Sequence, residues 1–220
     1  MSSLKHEISS SDFKADRHDL QTHRSIRLAS AVHNVRVAVT ILALFAGIVN
    51  LGLSADTLAV YNATHLSADY LLPLWPENLD LRPTHALVAG SGVVTAMNAL
   101  SLFASKTPSI RGRSMIHYAV SMAVPFVSLV ASLVAVVLFY AVNASSIDET
   151  YQSWVCRWKN VHMSTRPYFG TLCKESQAAL SIALVLVPLE LIVFASACFQ
   201  IVLEKRIGGM IRSRSIAALS

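Results

Sequence analysis

AALSIALVLVPLELIVFASACFQIVL, residues 178–203, decides the fold. At ~1.5 Å per residue, about 20 apolar residues cross a bilayer core, so this run is long enough to do so. Glu190 sits near its middle. A carboxyl group at that depth costs about 2.5–3.5 kcal/mol on insertion scales. Neighbouring segments must therefore shelter it.

Three further runs qualify as neighbours. The chain is 54% hydrophobic and 14% charged, whereas a soluble domain carries about a quarter charged residues. Lipid must take the excess apolar surface. The expected fold is an all-α membrane protein, a four-transmembrane-helix bundle over residues 34–204, with spans at about 37–60, 84–104, 115–142 and 178–203. Residues 1–33 are polar and read as a largely disordered cytosolic tail, and residues 205–220 as a basic cytosolic tail. Span two has small residues at Ser91/Thr95/Ala99 and at Gly92/Ala96. Such spacing lets helices approach closely in lipid, which places this span at the centre of the bundle. Pro125 is expected to kink span three, where Ser128 and Ser132 lie one turn apart.

Charge gives the orientation. Thirteen Lys and Arg lie in the two tails and the turn around Lys106, against five in the loops 62–83 and 143–176. The positive-inside rule then puts both termini in the cytosol and both of those loops outside. The only N-x-S/T sequons, at Asn62 and Asn143, fall outside, as do Cys156 and Cys173. These are candidate glycosylation sites and a candidate disulfide on an oxidising side. A bridge closing the sixteen residues between the cysteines stabilises by about 3 kcal/mol in the chain-entropy model. It serves either a stapled recognition surface, with Trp154 and Trp158 over it, or a simple loop clip. Trp75 and Tyr70 in the first loop are expected at headgroup depth, beside a short extended piece where Leu79 and Leu81 alternate with polar residues.

No catalytic, metal-binding or nucleotide-binding pattern stands out, and two cysteines with the isolated His162 lack the spacing of a closed metal site. No cofactor is expected. The basic residues are scattered between spans, which fits anionic lipid and does not fit nucleic acid. Glu190 has the strongest claim to function, since intramembrane carboxyls mark proton or cation paths. Thr95, Ser128 and Ser132 lie at similar depth. They offer hydroxyls, so the other reading is a neutral Glu190 hydrogen-bonded across the bundle. Cys198 reads as a small core residue or a palmitoylation site. Arg212 and Arg214 form a cluster for anionic lipid, which phosphate on Ser213 or Ser215 would weaken.

The layout resembles the MARVEL-like and claudin-like four-span families. It looks more like an uncharacterised group of small four-span integral membrane proteins from filamentous fungi. The stretches that carry this are LWPENLDLRPTHAL before span two, the SWVCRW loop, LCKESQAAL and PLELIVF. Claudins place their Trp and Cys signature in the first outer loop, and here it is in the second, so junction formation is not carried over. The resemblance implies a non-enzymatic protein of membrane organisation, trafficking or scaffolding. Its implied partners are membrane lipids, other membrane proteins or a second copy of itself, and its implied home is the plasma membrane or a secretory-pathway membrane. The alternative from the residues is a small proton-coupled transporter or channel using Glu190.

Orientation is directly testable. Protease added to the cytosolic face of sealed vesicles is expected to remove a tag from either terminus, and a shielded tag at either end would reverse the assignment.

Overall fold

The computed structural model describes residues 2–65, 74–76, 78–106, 114–145, 149–161 and 163–217. Within its helices, the side chains of residues 2–23, 25–26, 106, 114–120 and 210–217 lie outside that description. Tyr70, His162 and the side chains of Arg212, Ser213, Arg214 and Ser215 are therefore outside it. Among the described residues there are five helices: α1 (Ser2–Thr64), α2 (Arg82–Lys106), α3 (Ser114–Ser145), α4 (Tyr151–Arg157) and α5 (Phe169–Ala217). Four stretches, Arg27–Thr64, Arg82–Ser105, Ser121–Ser145 and Phe169–Gly209, are long and apolar enough to cross a membrane. This is the make-up of a multi-pass membrane protein.

Two helices begin earlier than the sequence reading places them. The backbone of residues 2–33, read there as largely disordered, is helical instead; the segment contains no Gly or Pro to break a helix. Helix α5 starts at Phe169, nine residues before the apolar run, so Cys173 lies in its early turns and not in the loop. Pro125 and Pro188 both lie inside continuous helices.

The chain divides into two compact units. The smaller comprises residues 1–38 and 195–220. In it Arg36 Nη1 donates to Gln200 Oε1 (3.1 Å), and Gln200 Nε2 donates to Glu204 Oε1 (3.1 Å), a short polar chain from α1 to α5.

The larger unit, residues 39–194, contains the bundle proper. Its buried positions follow a 3–4 spacing: Thr40, Ala43, Gly47, Asn50, Ser54 and Thr57 on α1, and Ala179, Ala183, Leu186, Glu190 and Val193 on α5. That spacing is the seam of a left-handed helix bundle. On α1 the seam residues are small or polar and α5 adds Leu186 and Val193 to them, while Phe45, Phe103, Val137 and Leu191 point outward. Lipid is as apolar as leucine, so burying large apolar groups such as Leu186 gives little net advantage there. Close approach and interhelical hydrogen bonds hold the helices instead.

Helix α2 touches the other three long helices, as α5 also does. It meets α1 through Asn50 and Ser91. It meets α3 at Gly90, where an added Cβ would come within 2.5 Å of the Ala135 Cβ. It meets α5 through Val94 against Leu186. The contacts use one face only. Gly92 has open space around its Cβ position, and Ala96 is exposed, so the expected Gly92/Ala96 packing pair faces outward. Contact order along α2 fixes direction. Leu87, Val94 and Asn98 meet Ala183, Leu186 and Glu190 in that sequence, so α2 and α5 run parallel. Ser91 and Thr95 meet Asn50 and the Gly47 position in reverse order, so α1 runs antiparallel to α2.

With this up-and-down order the α1–α2 and α3–α5 connections lie at the same end, and they fold together as a cap. The short extended piece foreseen at Leu79–Leu81 pairs with the second connection: Asp80 N donates to Glu149 O (3.0 Å), and Asp80 bridges Thr150 in parallel. Asp80 Oδ1 then accepts from Arg82 N at the start of α2, where Pro83 occupies the first turn. Thr150 caps α4. Trp75, expected at headgroup depth, is buried in the cap. It stacks on Tyr151 (centroids 5.5 Å), meets Tyr61 and Phe169 edge-on, and donates from Nε1 to Thr64 Oγ1 (3.0 Å). Burial, then the nearby Glu175 and Asp56 carboxylates, pushes the Tyr151 phenol up from its ordinary value. Trp154 and Trp158 lean on one another at 5.7 Å.

Cys156 and Cys173 stand at disulfide distance, Cα–Cα 4.8 Å, and tie α4 to α5 against this aromatic cluster. Replacing both by Ser should lower cap stability by about 3 kcal/mol. Thermal unfolding in detergent with and without reductant checks this: the wild type should shift on reduction and the double variant should not.

Candidate intramembrane polar site

Glu190 has no exposed surface. Its 3–4 register on α5 turns it into the seam, and there Asn98 of α2 meets it, Nδ2 donating to Glu190 Oε1 at 2.6 Å. Asn98 Nδ2 also donates to Val94 O (3.0 Å), which holds the amide on the helix surface and fixes its direction. Ser128 of α3 is close enough to act on the Glu190 carboxyl. Its Oγ and Glu190 Oε2 fall outside full hydrogen-bond geometry, and both are buried without a partner. Three helices thus converge on one carboxyl. An amide N–H on one oxygen with a hydroxyl nearby is a set that a neutral carboxylic acid can satisfy. A bare carboxylate here would have no cation among these contacts.

The polar seam continues along α1 and α2. Asn50 Nδ2 donates to Ser91 Oγ (2.9 Å), and the Ser91 hydroxyl in turn bonds Leu87 O. Asn50 Oδ1, Ser54 Oγ and Thr95 Oγ1 are buried without partners. Among the residues expected at Glu190's depth, Ser128 is brought to it. Ser132 is buried but turned back to Leu129 O (2.9 Å). Thr95 faces Gly47 of α1, where an added Cβ would stand 2.9 Å from its Oγ1.

The residue that sequence reasoning passed over is Asn98. Counting depth from residue 178 puts Thr95 level with Glu190, and the contact falls three residues further along α2. The signal was present: Asn98 is the sole carboxamide in span two, and an amide can donate to a carboxyl oxygen while a neighbouring carbonyl holds it in place. Cys198 is half-buried and unpaired. Asn62 and Asn143 are both exposed at helix ends, but the hydroxyls of their sequons are engaged. Thr64 Oγ1 donates to Val60 O (2.7 Å) and Ser145 Oγ to Ala141 O (2.7 Å). Among the described residues, no three His, Cys, Asp or Glu side chains converge as a metal centre.

No family model, no curated protein and no solved structure matches this chain.

The geometry separates two neighbouring polar residues on α2. Asn98→Ala removes the Glu190 donor and should destabilise the bundle by roughly 1–2 kcal/mol, between the small average for interhelical bonds and the cost of an orphaned buried acceptor. Thr95→Val removes a hydroxyl that has no partner and should be neutral or stabilising. Unfolding of both variants in mixed micelles decides; equal losses would mean that the Asn98 contact carries no special weight.

Proposed function

We propose that the chain is a non-enzymatic integral membrane protein that organises membrane, with both termini cytosolic, the cap outside, and lipids and other membrane proteins as its partners. The observation that carries this is Glu190 itself: fully enclosed, bonded to Asn98, and offering no surface to a solute. In this reading the carboxyl locks α2 and α5 in register. The lipid-facing surface supports the rest. No more than a third of the most apolar stretch of any candidate span is buried, so most of each span is available to lipid. The thirteen Lys and Arg that the charge count assigns to the cytosolic side would gather anionic headgroups, at about 1 kcal/mol per residue near the surface. The layout's resemblance to MARVEL-like proteins points the same way.

A second reading, a small proton-coupled transporter or channel, is favoured by the unpartnered seam atoms Asn50 Oδ1, Ser54 Oγ, Thr95 Oγ1 and Ser128 Oγ. Polar atoms so placed could be bridged by water.

Reconstitution separates the two. Giant vesicles with a minority of anionic lipid should show that lipid enriched around the protein, equally for wild type and Glu190→Gln. An imposed pH gradient should decay no faster than in empty vesicles. Proton flux in the wild type that Glu190→Gln abolishes would replace the first reading by the second.

A further inference from the structure

The connection between α4 and α5 carries charge that the polar seam does not use. Gly170 lets it lie close: an added Cβ there would stand 3.0 Å from Lys159 O, so the connection rests on the first turn of α5. Between the two runs is a groove of about 560 Å³, with Cys173 in its wall. The Cys156–Cys173 pair fastens that wall to α4, so the groove keeps its shape with nothing in it. Two cations line it, Lys159 and Lys174, with the donors Asn160 and Thr171, and no carboxylate is among its lining residues. Arg157 close by is paired with Glu149. Lys159 and Lys174 are exposed and have no ion pair among the described residues. Val161 and Tyr168 in the lining are exposed too, as is Trp158 beside Lys159.

We propose that this groove binds the phosphodiester headgroup of an anionic phospholipid. Its height along α5 selects a lipid. Gln177, at one end of the lining, is one residue before the apolar run, and Lys174 is four before it, or ~6 Å. The polar layer on each side of the hydrocarbon core is roughly 5–8 Å deep. The groove therefore opens at the hydrocarbon edge and crosses the layer where lipid phosphates lie. Lys159 stands level with Gly170, ~12 Å above the run, and a lysine stem is long enough to lower its ammonium group toward that layer. A phosphate between two ammonium groups takes charge-assisted hydrogen bonds, and the Asn160 amide and Thr171 hydroxyl can donate to its other oxygens. Trp158 and Tyr168 present the amphipathic rings that suit headgroup depth. A soluble acidic ligand would use the same two cations but would leave Trp158 and Val161 bare to water. The site goes beyond the membrane-organising reading, which draws on other basic residues, so either can fail alone.

Lipid quenching of tryptophan tests it. All three tryptophans, Trp75, Trp154 and Trp158, belong to the cap. Lipid brominated along its acyl chains therefore reports binding at this end and is blind to lipid gathered by the two tails. The purified full-length chain in neutral detergent is titrated with brominated phosphatidylglycerol or phosphatidylcholine. Half-quenching should need roughly 25-fold less phosphatidylglycerol, about fivefold for each lysine. Lys159→Gln and Lys174→Gln should each raise the phosphatidylglycerol requirement about fivefold, and the double variant should lose the preference. The phosphatidylcholine curve should not move in these variants, which shows them folded. Inorganic phosphate in millimolar excess should not restore the fluorescence, because acyl chains hold the lipid in place. Equal quenching by the two lipids, or an unaltered preference in the double variant, would overturn the assignment. So would relief by phosphate, which would make the groove a site for a free anion.

Discussion

A carboxyl group inside hydrocarbon must find its partners within the bundle, and that constraint organises this structure. Glu190 cannot reach water, so α5 has to present it to a donor, and the donor is an amide on α2. Once Asn98 and Glu190 meet, the axial register of the two helices is set. Leu186 then falls opposite Val94, and Ala183 opposite Leu87, four and seven residues back along α5. A one-residue slip would turn the carboxyl toward lipid. A single polar contact thus selects one alignment among the many that sliding apolar helices would otherwise allow, the role best attested for isolated polar groups in helix seams. Its net stabilisation is small, since interhelical hydrogen bonds in lipid average only ~0.6 kcal/mol. Specificity and stability come from different places here.

Stability has a better source at the capped end. There the chain leaves the lipid-facing regime, and burying aromatic surface away from water is favourable again. Trp75, Tyr151 and Phe169 supply that surface from three separate segments. The Asp80–Thr150 bridge joins the two connections, and Cys156–Cys173 fastens α4 to α5. The two connections therefore behave as one small folded layer. Because α1, α2 and α5 all contribute residues to it or start from it, the layer fixes how those helices leave the end of the bundle, while the polar seam fixes how they align further in.

The four apolar helices and the disulfide pair were legible in the sequence because each rests on a local signal: hydropathy over one helix length, and two cysteines a short way apart between two apolar runs. The partner of Glu190 was not. Which helix faces the carboxyl depends on pairwise register, and that depends on where α5 begins; residues 169–177 are too polar to be counted in the apolar run. The burial of Trp75 was hidden for a related reason. A tryptophan near a membrane boundary fits an interfacial anchor by composition alone, and only the pairing of two distant connections, at Asp80 and Thr150, creates the pocket that takes it inside. The outward face of Gly92 and Ala96 has the same origin: small-residue spacing marks every close approach a helix is able to make, and the neighbours decide which one is used.

The seam also shows why a structural and a functional reading of an intramembrane carboxyl lie so close together. Packing helices in lipid favours small side chains, and small side chains that also bond across helices are Ser, Thr and Asn. A bundle selected only for tight packing therefore accumulates hydroxyls and amides along its axis, here Asn50, Ser54, Ser91, Thr95, Asn98 and Ser128. Those same groups are what a proton path needs. The difference lies in continuity. Asn50–Ser91 and Asn98–Glu190 are closed pairs, each holding two helices, whereas Thr95 between them has a hydroxyl that bonds nothing. A conducting file must hand a proton from one group to the next, and Thr95 is the link at which this seam either carries a water or is interrupted. Its Oγ1 lies 2.9 Å from where a Gly47 Cβ would stand, so α1 and α2 meet closely there. The gap at Thr95 is the physical reason for reading the two polar pairs as separate locks between helices.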